Sequence, residues 1–173
     1  MRAGNPFKDL LSESNKFIYW FKGDCPYTVK FYGALFAEGF IWILSECMDS
    51  PLDKFYLKAK SLNLKLPEII LSKVAFSVLS ALEYLKRKNI MHRDVKPSNI
   101  LINRDCTIKL CDFGISGFIN NSVCLTVTGC CPYMAPEKIM HTDPDRNEGY
   151  TIKSDIWSLG ISLYETANFK HPV

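Results

Sequence analysis

The sequence of 173 residues lacks the patterns that mark several common classes of protein. No apolar stretch is long enough to cross a bilayer, and the amino-terminal residues lack the apolar run that a signal peptide requires. No run of five or more basic residues occurs, and the net charge of +3 is too small to indicate a nucleic-acid partner. Internal repeats and low-complexity segments are also missing. We therefore expect a globular chain that binds neither a membrane nor nucleic acid.

Cysteine pairs with the spacing of a metal site are missing as well. No two of the cysteines form a CxxC pair, and no histidine lies at metal-ligand spacing from them. Structural zinc is therefore not expected. The odd number of cysteines, without a secretory signal, favours reduced thiols and a cytoplasmic protein. The seven are Cys25, Cys47, Cys106, Cys111, Cys124, Cys130 and Cys131.

The apolar pattern of the first half predicts strands followed by a helix. Residues 28–36 and 40–46 are rich in β-branched and aromatic side chains, and Glu38-Gly39 between them suits a hairpin turn. Residues 67–87 open with Pro67 and carry apolar residues at helical spacing. We predict an antiparallel strand pair and then a long, buried, amphipathic helix.

The second half predicts another hairpin and another helix. Short apolar strands are expected at 100–102 and 108–110, around a polar turn. A helix is expected over 154–167, with Ser154 or Asp155 at its start. The predicted apolar side of this helix comprises Ile156, Leu159, Gly160, Leu163 and Tyr164.

Three motifs follow one another in the order typical of the catalytic half of a protein kinase. They are His92-Arg93-Asp94-Val95-Lys96-Pro97-Ser98-Asn99, Asp112-Phe113-Gly114 and Ala135-Pro136-Glu137. Taken one at a time, the first two could be a solvated charged turn and the exit of a tight hairpin. Their order and spacing together favour the kinase interpretation.

The residue types suit phosphoryl transfer. Asp94 is placed to accept or orient the proton of an attacking hydroxyl, and the Lys96 ammonium could reach the transferred phosphate. Asn99 and Asp112 offer the oxygen ligands that magnesium takes alongside phosphate oxygens. Cys111 directly precedes Asp112, so it is either an electrophile target beside a nucleotide or a small buried hydrophobic residue.

These residues and their surroundings resemble the mitogen-activated protein kinase kinases, particularly their stress-activated branch. The resemblance runs from about Asp24 to Ala167. It is carried by Cys25-Pro26-Tyr27, Phe31-Tyr32-Gly33-Ala34-Leu35-Phe36, Leu52-Asp53-Lys54-Phe55-Tyr56, Lys96-Pro97-Ser98-Asn99, Cys111-Asp112-Phe113-Gly114-Ile115-Ser116-Gly117 and Pro132-Tyr133-Met134-Ala135-Pro136-Glu137.

The resemblance implies an α+β, protein kinase-like fold. Residues 1–48 would be a partial small lobe of a helix and antiparallel strands, ending in the hinge. Residues 49–173 would be the first part of a mainly helical large lobe. The implied activity is a dual-specificity kinase that uses ATP and Mg²⁺ to phosphorylate threonine and tyrosine of a MAP kinase, itself activated by a MAP kinase kinase kinase.

The resemblance also assigns residues around adenine and in the activation segment. The backbone of Glu46, Cys47 and Met48 would meet adenine, with Leu101 under the ring. Ser45 would guard the pocket, where relatives carry larger apolar residues, so the pocket would be more open. Asp155 would brace the catalytic loop, although an ordinary N-cap role explains it too.

Ser122 and Thr126 would be phosphorylated by an upstream kinase. A phosphate there would add negative charge and order the segment through a basic partner, with Arg93 as the candidate. The alternative is that Ser122, Thr126 and Thr128 are simply polar residues of a mobile loop.

Two parts of a kinase domain are not found in the sequence. A glycine-rich loop and a third-strand lysine would precede residues 7–22, which resemble the helix that follows that lysine, and the later helices of the large lobe would follow Val173. We therefore expect a kinase domain truncated at both ends. The alternative function is a noncatalytic pseudokinase or binding fragment that engages partners of the MAP kinase pathway.

Overall fold

The computed structural model describes residues 24–37, 40–112, 131–136 and 152–172. Within them, strands and helices occur in an α+β arrangement, as predicted from the sequence. None of the helices in these ranges is long and apolar enough to cross a membrane. The predicted helix over 7–22 and the turn at 38–39 lie outside the described residues.

Strands β1 (Phe31–Ala37) and β2 (Phe40–Ser45) form a two-stranded antiparallel sheet. Their register runs from Phe31 opposite Ser45 to Ala37 opposite Phe40, with an irregularity between Phe31 and Gly33. The hairpin predicted from the β-branched and aromatic residues is confirmed. Because Ser45 ends β2, residues 46–48, which were predicted as the hinge, follow this strand directly.

A second sheet lies next to the kinase motifs, since two of its strands lie between Asn99 and Asp112 along the chain. It contains β3 (Ser50–Pro51), β4 (Ile100–Ile102) and β5 (Ile108–Leu110), all antiparallel in that order. The bounds of β4 and β5 are those predicted, whereas the two-residue β3 was not foreseen. It is too short to leave an apolar pattern in the sequence.

Thr28, predicted as the start of the strand over residues 28–36, lies beside the second sheet and not in β1. Thr28 forms a parallel bridge with Leu110. The Val29 N–H donates to the Leu110 carbonyl at 3.0 Å, and the Leu110 N–H donates to the Tyr27 carbonyl at 2.9 Å. The segment around Thr28 therefore passes beside β5 before the chain enters β1.

The core is built around one long helix. Helix α1 (Leu52–Ser61) follows β3 directly, and α2 (Glu68–Arg87) begins after Pro67. The predicted apolar face of α2 is buried and packs with β4, β5 and the residues that follow the helix. The buried members are Leu52, Val74, Val78, Ala81, Leu82, Leu85, Ile90, Val95, Ile100, Ile102, Ile108, Leu110 and Leu159. Burial of this face fixes the end of α2 and therefore the start of the loop that carries Asp94.

Helix α3 (Ile152–Asn168) is confirmed, but its predicted inward side is wrong in part. Leu159 is buried and Leu163 packs against the core, whereas Ile156, Gly160 and Tyr164 are exposed. The buried side is mostly polar and consists of Ser154, Asp155, Ser158, Leu159, Ser162, Glu165 and Thr166.

Hydrogen bonding explains how such a polar side can be buried. The hydroxyls of Ser162 and Thr166 donate to the carbonyls four residues earlier, both at 2.7 Å, and the Ser158 hydroxyl donates to the Tyr133 carbonyl at 2.7 Å. A hydroxyl satisfied within its own helix can enter the interior at little cost. The two carboxylates on this side, Asp155 and Glu165, accept hydrogen bonds from other parts of the fold.

Candidate active site

The loop that carries Asp94 is braced by a buried carboxylate from α3. Asp155 is fully buried; its Oδ2 accepts the His92 N–H at 3.0 Å and its Oδ1 accepts the Arg93 N–H at 2.9 Å. Helix α3 begins three residues before Asp155, so the N-cap alternative is wrong and the bracing role is confirmed. Arg93 has a φ of 68°, an uncommon value for a residue with a Cβ, and the two hydrogen bonds hold the chain in that conformation.

His92 links this loop to the residue before Asp112. Its Nε2 donates to the Cys111 carbonyl at 2.9 Å, while its Nδ1 accepts the Asp94 N–H at 3.2 Å. These partners require the neutral ring with its proton on Nε2. Burial and, to a smaller extent, the Lys96 charge lower the pKa of His92 to about 4, against the Cys111 hydrogen bond and the Asp94 charge, which raise it.

Three of the predicted site residues lie in direct contact. The Asn99 amide nitrogen donates to the Asp94 carbonyl at 2.8 Å and to Asp94 Oδ2 at 2.9 Å. Lys96 Nζ lies 2.7 Å from the same Oδ2. Asn99 belongs to a 3₁₀ turn over Pro97–Asn99 that leads into β4, so the turn aims its side chain back at Asp94. The sequence predicted these residues as a group, and the structure brings them together.

Asp112 reaches the same region from the far strand of the hairpin. The Cys111 N–H donates to the Asn99 carbonyl at 2.9 Å, which joins the two ends of the β4–β5 hairpin. Asp112 follows β5 with a φ of 58° and an exposed side chain. Of the two predicted metal ligands, Asn99 accepts this hydrogen bond and Asp112 directly follows its donor, so the two residues lie close together. Phe113 and Gly114 of the motif lie outside the described residues.

These residues are chemically suited to hold magnesium beside a phosphate. Both hydrogens of the Asn99 amide are donated to Asp94, which leaves the amide oxygen as the ligand atom. Asp112 adds an exposed carboxylate. The described ranges contain no group of three or more His, Cys, Asp or Glu side chains arranged for a metal ion. A cation here would need phosphate oxygens or water to complete its shell.

The predicted hinge is fixed by the side chain of Glu46. Its N–H donates to the Lys30 carbonyl at 2.8 Å, and its Oε2 accepts the Lys30 N–H at 3.0 Å. Lys109 on β5 contacts both carboxylate oxygens, at 2.8 and 2.7 Å. Burial raises the pKa of Glu46, but the Lys109 and Lys30 hydrogen bonds and charges outweigh it and leave the pKa below its usual value.

The other predicted adenine contacts surround this hinge. Ser45 is exposed at the end of β2, and Met48 is half-buried. Leu101, also half-buried, lies in β4 opposite Pro51. The Glu46 carboxylate is held by Lys109, whereas the predicted adenine contact is made by the Glu46 backbone.

Cys111 is half-buried with its thiol protonated at neutral pH. Burial and the Asp112 charge raise the pKa of this thiol to about 11. The description of Cys111 as a small hydrophobic residue fits this environment better than that of a reactive thiol, since the thiolate is the nucleophile. Ser122 and Thr126, the predicted phosphorylation sites, lie outside the described residues.

Sequence reasoning missed two polar contacts that reach across the fold. One is the pairing of Lys109 with Glu46, and the other is a contact of Glu165 with two tyrosines, Tyr56 and Tyr133. A signal for the first was present, because Lys109 is a charged residue between two apolar residues of a buried strand. For the second, the sequence offered only a glutamate outside the predicted apolar side of the helix.

The protein kinase domain family model matches residues 12–173. The chain belongs to the protein kinase family. The kinase-like fold and the kinase motifs predicted from the sequence are therefore confirmed.

Two curated relatives that match this chain are both named as MAP kinase kinases. One is the dual specificity mitogen-activated protein kinase kinase sek-1 of Caenorhabditis elegans, 49% identical over 150 residues that cover 86% of this chain and 44% of the relative. The other is the MAP kinase kinase mkk-4 of the same organism, 45% identical over 166 residues that cover 94% of this chain and 44% of the relative. The chain spans less than half the length of these relatives, and its resemblance to MAP kinase kinases is confirmed.

Proposed function

We propose that this chain is the catalytic part of a dual-specificity protein kinase of the MAP kinase kinase type, acting in stress signalling. It transfers the γ-phosphate of ATP to a threonine and a tyrosine in the activation loop of a MAP kinase. The observation that carries the proposal is the contact of Asp94 with both Lys96 and Asn99 on a loop braced by Asp155. The names of both relatives support a MAP kinase kinase, and that of sek-1 also supports dual specificity; they favour a kinase over a noncatalytic binding fragment.

Asp94 is the residue that we assign to the acceptor hydroxyl. Its carboxylate takes or orients the hydroxyl proton as the oxygen attacks the γ-phosphorus and the bond to the β-phosphate oxygen breaks. Lys96, 2.7 Å from that carboxylate, is placed to offset negative charge on the transferred group. Asn99 orients Asp94 through its amide nitrogen.

Asn99 and Asp112 are the residues that we assign to Mg²⁺. The bound ion would supply positive charge against the phosphates. Asn99 offers its amide oxygen, because its nitrogen is committed to Asp94. Asp112 is exposed next to the hydrogen bond that closes the hairpin, where phosphate oxygens could share the ion.

The hinge is the part that we assign to adenine. The Glu46 carbonyl and the Met48 N–H would pair with the edge of the ring, with Leu101 packed beneath it. Ser45 leaves more room at the end of β2 than a larger apolar residue would. We therefore divide the chain into a small-lobe part and hinge, residues 1–48, and a large-lobe part, residues 49–173.

Regulation and partners follow from the same family resemblance. We propose that Ser122 and Thr126 are phosphorylated by a MAP kinase kinase kinase, and that Arg93, an exposed residue of the braced loop, receives the phosphate. A cytoplasmic location is supported by free thiols at Cys25, Cys47, Cys106 and Cys111.

The function is tested by phosphate transfer to a catalytically inactive MAP kinase, with phosphothreonine and phosphotyrosine measured separately. The chain is first phosphorylated by a MAP kinase kinase kinase. We expect transfer to both residues, and a loss of about a hundredfold or more in Asp94→Asn, which keeps the side-chain shape but not the base.

Thermal unfolding with and without Mg-ATP provides the matched control. Asp94→Asn should keep the nucleotide-dependent rise in unfolding midpoint, whereas Asp112→Asn should lose it. Nucleotide binding without any transfer by the wild-type chain would contradict the kinase proposal and support the noncatalytic alternative.

A further inference from the structure

A cleft of about 520 Å³ opens between the segment around Tyr27, helix α2 and the turn that joins β4 to β5. Its volume falls within the range of about 300–1,000 Å³ that is typical of ligand sites in proteins. None of the described residues that line this cleft is among those assigned to the acceptor hydroxyl, to Mg²⁺ or to adenine. The lining includes Tyr27, Ser72, Lys73, Phe76 and Cys106.

Backbone hydrogen bonds fix two walls of the cleft. The Tyr27 carbonyl accepts the Leu110 N–H at 2.9 Å, which ties the segment around Tyr27 to β5. In the β4–β5 turn, the Cys106 N–H donates to the Asn103 carbonyl at 2.9 Å, and Asn103 Oδ1 accepts the Asp49 N–H at 2.9 Å. The cleft is therefore formed before a ligand arrives, so that binding requires little ordering of the protein.

The third wall is an exposed apolar stripe of α2. Phe76 meets the Tyr27 ring edge-on, with centroids 5.6 Å apart, yet Phe76 is 62% exposed. Ile69, 60% exposed, lies on the same face of the helix two turns earlier, about 10 Å along the axis. Ser72 lies between them, and its hydroxyl donates to the Ile69 carbonyl at 2.9 Å. A ligand confined to the cleft would leave Ile69 in water, so the surface suits an elongated ligand.

Lys73 gives this surface a preference for negative charge. Of the described residues that line the cleft, Lys73 alone is charged, and it forms no salt bridge within the part of the chain that the structure describes. It is a helical neighbour of both Ile69 and Phe76. Two hydrogen bonds from Thr107 and, to a smaller extent, the Lys73 charge hold the pKa of Asp105 below its usual value. The ammonium therefore lies near the β4–β5 turn, where a carboxylate on a ligand could meet it.

We propose that the cleft and the exposed stripe of α2 form a docking site for an extended, acidic segment of a partner protein. Alternate side chains of an extended segment lie about 7 Å apart on one side. Phe76, Lys73 and Ile69 follow one another at about 4.5 Å and about 6 Å along the helix, and the long lysine side chain covers the difference. The segment would thus carry an aromatic residue, a carboxylate and an apolar residue at alternate positions. This docking site goes beyond the proposed kinase function.

Binding is measured by fluorescence anisotropy with the full chain and the fluorescein-labelled peptide Gly-Phe-Ser-Glu-Ser-Leu-Gly. We expect saturable binding that Phe76→Ser weakens about tenfold and Lys73→Gln weakens about fivefold. Both residues are exposed, so these variants should keep the unfolding midpoint of the wild type. The matched controls are Leu57→Ser, on the exposed side of α1, and Lys86→Gln, about 20 Å further along α2; both should bind as the wild type does.

A second peptide, with glutamine in place of glutamate, tests the charge. The wild-type chain should bind it about fivefold more weakly than the first peptide, whereas Lys73→Gln should bind the two peptides equally. Alkylation then locates the bound peptide, because Cys106 lines the cleft and Cys47 is exposed at the predicted hinge. The first peptide at saturation should slow the labelling of Cys106 by iodoacetamide and leave that of Cys47 unchanged.

Each of several results would overturn the docking site. One is the absence of saturable binding, and another is binding that neither Phe76→Ser nor Lys73→Gln weakens. Unchanged labelling of Cys106 at saturation would place the peptide elsewhere. Binding of 3-phenylpropionate as tight as that of the peptide would assign the cleft to a small aromatic acid instead. Since the assay involves no phosphate transfer, a chain that binds the peptide as expected but transfers no phosphate would retain the docking site while the proposed function fails.

Discussion

Acidification from about pH 7.5 to about pH 5 should destabilise the fold through a single buried histidine. His92 is fully buried, and its neutral ring bridges the Cys111 carbonyl and the Asp94 N–H. A proton on Nδ1 would remove the acceptor of the Asp94 N–H and place a positive charge in the interior. The folded state therefore resists protonation, whereas the unfolded chain does not.

The magnitude follows from the two pKa values. The pKa of His92 is lowered from 6.5 to about 4 on folding, mainly by burial. Because the folded pKa is depressed, the contribution of the neutral ring is fully present above pH 6.5 and is lost as the pH falls from there towards 4. At pH 5 the unfolded histidine is almost fully protonated and the folded one almost fully neutral, so the loss of unfolding free energy is about 2 kcal/mol.

Urea unfolding at several pH values measures this loss. The wild-type chain should lose unfolding free energy between about pH 6.5 and about pH 5, with a slope that approaches roughly 1.4 kcal/mol per pH unit. His92→Gln should be less stable at neutral pH but should lack this part of the slope. The other histidines are the same in both proteins, so the difference between the two slopes isolates His92. Equal slopes in the two proteins would refute the reasoning.

Three further predictions concern the hinge, the core and the thiols. Lys109→Met should weaken Mg-ADP binding in calorimetry, because Glu46 loses the ammonium that contacts both of its carboxylate oxygens. Lys109→Arg keeps a positive charge at this position and should bind Mg-ADP more tightly than Lys109→Met. Equal affinity in the wild type and both variants would contradict this role of Lys109. Leu82→Ala should lower the unfolding free energy by about 2–5 kcal/mol in urea titrations, since Leu82 is 1% exposed in the core, and a loss below about 1 kcal/mol would contradict the packing. Iodoacetamide at neutral pH should alkylate the exposed Cys47 well before Cys111, whose thiol has a pKa of about 11. Mass spectrometry of the peptides gives the order of labelling. Faster labelling of Cys111 than of Cys47 would contradict the half-buried site described for Cys111.

Local patterns predicted the elements whose neighbours lie close in sequence. The β4–β5 hairpin has the predicted bounds, because two short apolar runs around a polar turn can pair in few ways. Helix α2 was predicted to within one residue at its start, and its apolar spacing identified the buried face correctly. Strand β3 and helix α1 were not predicted as elements.

Helix α3 shows the limit of this reasoning. Periodicity identifies a helix, but it assigns the inward side by hydrophobicity alone. Here the inward side carries Ser162 and Thr166, which bond within the helix, and two carboxylates, one bonded to the loop that carries Asp94 and the other to two tyrosines. Exposed Ile156, Trp157 and Tyr164 lie elsewhere on the helix, so the rule that apolar residues face inward failed for them.

The sequence by itself determined the family and predicted which loop carries the catalytic residues. Its motifs are short and continuous, and phosphoryl transfer restricts which residue types can occupy them, so Asp94, Lys96 and Asn99 could be named without a structure. Only the tertiary structure decided what holds these residues in place. The Asp155 carboxylate and the His92 N–H, which together brace the loop that carries Asp94, are 63 residues apart in sequence and 3.0 Å apart in space. Such a contact depends on how α3 packs against the loop that follows α2, and no spacing along the chain records it.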